Sequence, residues 1–246
     1  MSIQRQRLDT LLVERGLAES RAKAQGLIYA GNVLIKGQPV VKPGSQIGPE
    51  AVISLKSQER FVSRGGEKLD YALNFFNVNM EGKICLDAGA STGGFTDCLL
   101  QRGAQKVIAV DVGLGQLHWK LRDDPRIVVM DKTNARYLAP AQFAVKPQIA
   151  VADVSFISLT KVLPAVLSVL ASDAEIIALV KPQFEAERKE AKRGVVRSDE
   201  VRLQVLEKIK KFGEDEMHLA FKGSCASPLK GPAGNVEYFI YWTTAG

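Results

Sequence analysis

Apolar positions change their period three times within the first 56 residues. In RLDTLLVERG, Leu8, Leu11 and Leu12 fall on one face of a 3.6-residue helix that stops at Gly16. Ser20 then stands as an N-cap ahead of RAKAQGLIYA, and Gly31 closes that second helix. The period shortens in NVLIKGQPVV, where two β-like runs flank Lys36-Gly37 and predict a hairpin. Turn-rich VKPGSQIGPE leads to a last short strand, AVISL. Residues 1–58 therefore read as a small α+β domain. The polar, glycine-containing stretch SQERFVSRGG follows, and residues 59–63 read as its linker.

From residue 64 onward helix and strand alternate. EKLDYALNFF is amphipathic, and KICLDA, KVIAVD, RIVVM, QIAVAD and EIIALV are short apolar strands about 20 residues apart. Helix-length segments lie between most of them. This pattern predicts an α/β domain over residues 64–246 with a doubly wound, mostly parallel sheet. Ser198 opens a capped amphipathic helix, SDEVRLQVLEKIKKFG, which is expected to stop at Gly213. HLAFKGSCAS and VEYFIYWT close the chain as two strands, which suits an antiparallel addition at one edge of the sheet.

Charge adds a partner to this picture. The net charge is +6, and residues 1–60 hold nine Lys/Arg against five Asp/Glu, so +4 lies in the first quarter. A basic first domain suggests a polyanion, nucleic acid first, although solubility alone accounts for a charge of this size. Arg5, Arg7, Arg21, Lys23 and Lys36 flank its helices and hairpin. Cys85, Cys98 and Cys225 have no metal-type spacing and read as reduced thiols, so no metal site is expected. MSIQRQRLDT lacks the apolar core of a leader, and no run approaches about 18 apolar residues. A cytoplasmic protein without a membrane span is expected, with a monomer as the default.

LDAGASTGGFTDCLL ends the first strand of the sheet, where open α/β sheets bind ligands. Its pattern is D-x-G-x-x-x-G-G, from Asp87, Gly89, Gly93 and Gly94. That is neither G-x-G-x-x-G nor a phosphate-cradling P-loop. An acid followed by small residues suits S-adenosylmethionine, which has no phosphates but carries a sulfonium, an ammonium and a carboxylate. Asp87 balances positive charge, directly or through water. The loop of Gly89, Ala90, Ser91, Gly93 and Gly94 offers amides to the carboxylate. Asp111 and Asp131 end the second and third strands, where they suit the ribose hydroxyls and the adenine amino group. Any one strand-end aspartate also suits a turn cap; three in succession beside a glycine loop favour the ligand.

VSRGGEKL, LDAGASTGGFTDCLL, VIAVDVG, VADVSFISL, LVKPQFE and GNVEYF together resemble the hemolysin A/TlyA family. The resemblance spans essentially the whole chain. It implies a Rossmann-like, S-adenosylmethionine-dependent ribose 2′-O-methyltransferase related to FtsJ. The implied substrate is ribosomal RNA or a ribosomal subunit, at a cytidine of the small subunit, the large one or both. A ribose hydroxyl is a weak nucleophile, so positioning and a base are both needed. Lys68, Asp153, Lys181 and Glu237 match the family's Lys-Asp-Lys-Glu tetrad one by one. In that match Lys181 is the base, and Lys68 lowers its proton affinity and helps hold the acceptor. Asp153 and Glu237 orient the lysines, with Asp153 also near the transferring methyl. Taken alone, Lys68 reads as a surface lysine and Glu237 as an edge-strand charge.

Two absences narrow the reaction. The Asn/Asp-Pro-Pro-aromatic run of amino-group methylation is replaced by Ala152-Asp153-Val154-Ser155-Phe156, and no cysteine follows the fourth or fifth strand to attack a pyrimidine. The first domain resembles a small RNA-binding domain shared by a ribosomal protein, pseudouridine synthases and tyrosyl-tRNA synthetases. That likeness turns Ser20, Arg21, Lys23 and the hairpin toward RNA, and Arg64 joins the set at the start of the catalytic helix. Arg188, Lys189, Lys192, Arg193 and Arg197 form a second basic stretch, which reads equally as a closing loop or as ordinary exposed charge. Methylation of another RNA such as tRNA, and an RNA-binding module whose S-adenosylmethionine fold has lost activity, stand as alternatives; the intact tetrad argues against the module. A haemolysin needs an amphipathic or apolar membrane segment, and none is evident in the sequence.

Overall fold

The computed structural model describes residues 5–56 and 60–244, and the chain divides between residues 59 and 60 into two units. In the first, β1 (Gln6–Arg7), α1 (Leu8–Glu14), α2 (Arg21–Tyr29), β2 (Val33–Ile35), β3 (Gln38–Pro39), β4 (Gln46–Ile47) and β5 (Ile53–Leu55) follow in order. Leu8, Leu12, Ala24, Ile28 and Val33 form its buried core, so both helical stripes face inward. The Ser20 hydroxyl caps α2 by accepting from Lys23 N at 3.3 Å. Lys36 and Gly37 both take positive φ, which turns β2 back onto β3, while β5 pairs on the other side of β2. The pairing of β1 with β4 has no counterpart in the sequence reading, since two-residue strands carry no alternation.

The second unit opens with α3 (Arg64–Phe76), capped by Ser63, which buries Gly66, Lys68, Leu69, Ala72 and Leu73. There follow β6 (Ile84–Ala88), α4 (Gly94–Gln101), β7 (Lys106–Val110), α5 (Trp119–Arg122), β8 (Ile127–Met130), β9 (Ile149–Ala152), α6 (Leu163–Ser168), β10 (Glu175–Val180), α7 (Pro182–Glu185), α8 (Asp199–Lys211), β11 (Leu219–Ala226) and β12 (Tyr238–Thr244). The sheet order is β11-β12-β10-β9-β6-β7-β8. Strands β6 to β10 are parallel, and β12 is antiparallel to β10 and β11. The order reverses between β6 and β9, and Ala88 lies opposite Ala152 across that junction. The glycine loop and Asp153 therefore leave the sheet side by side at its switch point.

Three stretches depart from expectation. Only two 3₁₀ turns, Ala135–Tyr137 and Pro140–Gln142, lie between β8 and β9, because Pro140 and Pro147 interrupt any longer helix. α8 does not end at Gly213; the backbone runs on through a π-type turn, Phe212–Glu216, with Gly213 packed against the Trp242 indole. Residues 57–59 lie outside the described residues, and Arg60–Ser63, expected within the linker, pack on the second unit. There Phe61 is buried, Arg60 pairs with Asp70 at 2.6 Å, and Val62 N donates to Asp97 Oδ2 at 2.8 Å.

Candidate active site

The loop after β6 is held by its own backbone. Gly89 N and Ala90 N both donate to Val110 O, at 2.9 and 3.1 Å. Gly89 takes φ +92, and a Cβ there would stand 2.6 Å from Asp153 O. Glycine is thus required for the loop to lie against the end of β9. Ser91 N and Gly113 N donate to the two Asp111 oxygens, at 2.9 and 2.7 Å. A cavity of about 520 Å³ opens beside the loop, lined among others by Gly89, Ser91, Asp111, Gln116, Thr133, Asn134 and Asp153.

Asp111 reaches this cavity, but Asp87 and Asp131 do not line it. Asp131 Oδ2 accepts from Gly115 N at 3.0 Å and so braces the neighbouring loop. Thr133 and Asn134, two and three residues further on, line the cavity. Asp87 is fully buried. Its Oδ2 accepts from Thr96 Oγ1 at 2.7 Å, and its Oδ1 has no hydrogen-bond partner among the described residues. Burial pushes its carboxyl up to about 7; the Thr96 hydrogen bond opposes this, and Asp153 and Asp111 add to it.

A second cavity, of about 300 Å³, shares Gly89, Ser91, Asp153 and Ser155 with the first. Lys68, Asp153, Lys181 and Glu237 all line it, each from a different element or strand end. Lys68 Nζ donates to Glu237 Oε2 at 2.6 Å, and Glu237 is 1% exposed. Lys181 Nζ lies 2.5 Å from Asp153 Oδ1 in an ion pair. It also donates to Ser155 Oγ at 2.8 Å. Ser155 was not singled out in the sequence; its one signal is a position two residues beyond Asp153. Arg64 stands at the same cavity, as do Ala90 and Gly94, whereas Gly93 lines neither. The thiols are out of play: all three are buried, which pushes Cys85 and Cys98 up to about 12 and Cys225 up to about 11.

Phe156 follows Ser155 in a left-handed conformation, φ +63, with 91% of its surface exposed and its ring 5.0 Å from that of Phe184. An exposed, strained aromatic at the mouth of a site is a candidate stacking surface. In the first unit, Arg5, Arg7, Ser20, Arg21, Lys23 and Lys36 are all exposed. Asp9, also missed in the sequence, is buried beneath two of them. It accepts from Arg7 Nε at 3.0 Å, Arg21 Nε at 3.0 Å and Gln25 Nε2 at 2.9 Å, and the Arg7 hydrogen bond leads in holding its carboxyl well below the usual range.

The residues fit S-adenosylmethionine on three counts. The loop is a cradle with no room for a side chain at Gly89. Two carboxylates, Asp111 and Asp153, line the cavity and suit a cation. Asp87 Oδ1, beneath the loop, is a buried acceptor without a donor among the described residues. No group of three or more His, Cys, Asp or Glu suited to a metal occurs among the described residues.

Residues 61–244 match the FtsJ-like methyltransferase family, and residues 6–53 match the S4 domain. The 16S/23S rRNA (cytidine-2′-O)-methyltransferase TlyA of Mycobacterium tuberculosis is 48% identical over 98% of this chain and 90% of its own. Hemolysin A of Brachyspira hyodysenteriae is 43% identical over 96% of this chain and 99% of its own. The solved structure of a candidate hemolysin from Streptococcus thermophilus superposes with a TM-score of 0.76 at 42% identity, covering 99% of this chain and 90% of that one.

Proposed function

Because the chain belongs to the FtsJ-like methyltransferase family and carries an S4 domain, we propose that it methylates the 2′-hydroxyl of a cytidine in ribosomal RNA. What carries this reading is the meeting of two ion pairs, Lys68–Glu237 and Lys181–Asp153, at one cavity beside the glycine loop.

When bound, S-adenosylmethionine supplies an electrophilic methyl group on a sulfonium. Gly89, Ala90, Ser91 and Asp111 would hold it, with Asp87 beneath the loop. Lys181, in its neutral form, would take the proton of the ribose hydroxyl as that oxygen gains the methyl and the sulfur leaves as a neutral thioether. Asp153 and Ser155 fix the Lys181 amine at the cavity wall, which supplies the positioning that an in-line transfer demands. Lys68, held by the buried Glu237, keeps a cation facing the acceptor and suits an RNA phosphate. Phe156 offers a ring face to the acceptor base. Arg7 and Arg21, braced on Asp9, together with Lys23 and Lys36, hold the RNA by its backbone. No helix among the described residues is long and apolar enough to cross a membrane. A ribosomal RNA substrate supports a cytoplasmic location.

The experiment is methylation of small subunits, large subunits, naked ribosomal RNA and tRNA with labelled S-adenosylmethionine, followed by digestion to nucleosides. The expected product is 2′-O-methylcytidine from ribosomal RNA. A label confined to tRNA, or one carried on a base, would overturn the assignment. Lysis of erythrocytes by the purified protein without any methylation would favour the haemolysin reading instead.

A further inference from the structure

Glu185 is 7% exposed, borders neither cavity and has no part in the steps above. It ends α7, the four-residue helix that begins directly after Lys181. Both carboxylate oxygens are engaged across the gap to the segment leaving β9. Oε2 accepts from Ser158 Oγ at 2.5 Å, and Oε1 accepts from Leu159 N at 2.7 Å. Its own carbonyl accepts from Lys208 Nζ of α8 at 3.1 Å. A buried carboxylate that meets two donors from one short segment holds that segment tightly, because freeing it would strand a buried polar group.

The segment so held is the one that shapes the catalytic cavity. It leaves the sheet at Asp153, whose N donates to Ala88 O at 3.0 Å. It passes Ser155, which accepts from Lys181, turns at Phe156 in the left-handed region, and re-enters the core at Leu159. Two successive motifs, VADVSFISL and LVKPQFE, are thereby stapled twice. Lys181 makes the first contact through Asp153 and Ser155, and Glu185 makes the second, one helical turn later. A turn with a residue at positive φ keeps that shape only where its surroundings impose it.

We propose that Glu185 is a positioning residue for methyl transfer, clamping the Ser155–Phe156 turn against the helix that carries Lys181. The clamp keeps Ser155 within reach of the Lys181 amine and keeps Phe156 at the wall of the adjoining cavity beside the glycine loop. It acts through Lys181 and so rests on the reading of Lys181 as the base.

The test uses the full-length protein with ribosomal RNA and compares Glu185→Ala, Glu185→Gln and Ser158→Ala. A displacement of about an ångström costs on the order of a hundredfold in rate. Glu185→Ala is expected to lower kcat by roughly 30- to 100-fold while the Kd for S-adenosylmethionine moves less than about threefold. Glu185→Gln should recover most of the loss, since its amide oxygen still accepts from Leu159 N and its amide nitrogen donates to Ser158 Oγ. Ser158→Ala removes one of the two bonds, gives a smaller loss, and serves as the informative variant where Glu185→Ala does not fold. Wild-type kcat in a folded Glu185→Ala protein overturns the proposal. So does a Gln variant as slow as the Ala variant, and so does a parallel loss of cofactor affinity and kcat, which marks a merely structural role. Full activity of Lys181→Met would remove the base assignment and the clamp with it, whereas a slow Lys181→Met beside a wild-type Glu185→Ala overturns the clamp alone.

Discussion

At the scale of single residues, Asp87 makes the sharpest statement about pH. Its folded-state carboxyl titrates at about 7, against about 4 for an aspartate in the unfolded chain. Between those values the folded protein holds a proton that the unfolded chain has lost. Stability therefore falls as pH rises from about 4 to about 7 and takes no further change from this group above that, at a cost of at most about 4 kcal/mol. Urea midpoints measured across the range should decline in the wild type, and Asp87→Asn should flatten that slope. An unchanged slope in the variant would assign the titration to another group. The D-x-G-x-x-x-G-G spacing was legible in the sequence because one short segment holds all of it. The tetrad was legible only through the family pattern: Lys68 and Glu237 touch at 2.6 Å yet lie 169 residues apart, a separation that leaves no local trace. Ser155 and Glu185 left none either, being single polar residues in irregular segments. The bond from Gly115 N to Asp131 was not legible, because a strand-end position alone does not say which backbone amide a carboxylate will find.

Among the elements, α3 depends on what precedes it. The Phe61 ring fills a notch at Gly66, where an added Cβ would stand 2.2 Å from Phe61 Cγ. Overpacking of this kind costs about 1–3 kcal/mol. Gly66→Ala is expected to lower the melting temperature and, because Lys68 lies two residues further along the same helix, to weaken RNA methylation as well. Wild-type values for both would show that the notch does not seat the helix. Strands β6, β7, β9 and β10 were readable because parallel strands covered on both faces are continuous apolar runs. The two 3₁₀ turns between β8 and β9 were not, since turns this short carry no periodicity and the prolines there prevent a longer helix. The run-on of α8 past Gly213 depends on Trp242, a contact made from the far end of the chain.

For the molecule as a whole, charge and chemistry are divided between two units. The uneven distribution of Lys and Arg marked the first unit as the basic one, and alternation of strand and helix marked the second as a doubly wound sheet. RNA affinity should fall linearly with the logarithm of salt concentration, and Arg21→Ala and Lys36→Ala should each reduce the slope by about 0.7–0.9. Affinity that is flat between low and moderate salt would contradict docking through the RNA backbone. The central claim is that Lys181 takes the proton from a ribose hydroxyl in ribosomal RNA. The most direct measurement is the single-turnover rate of methyl transfer to ribosomal RNA by wild type and Lys181→Met, with S-adenosylmethionine affinity measured on the same samples. The rate is predicted to fall by roughly a hundredfold or more, with cofactor affinity within about threefold of wild type. A wild-type rate in Lys181→Met would contradict the account.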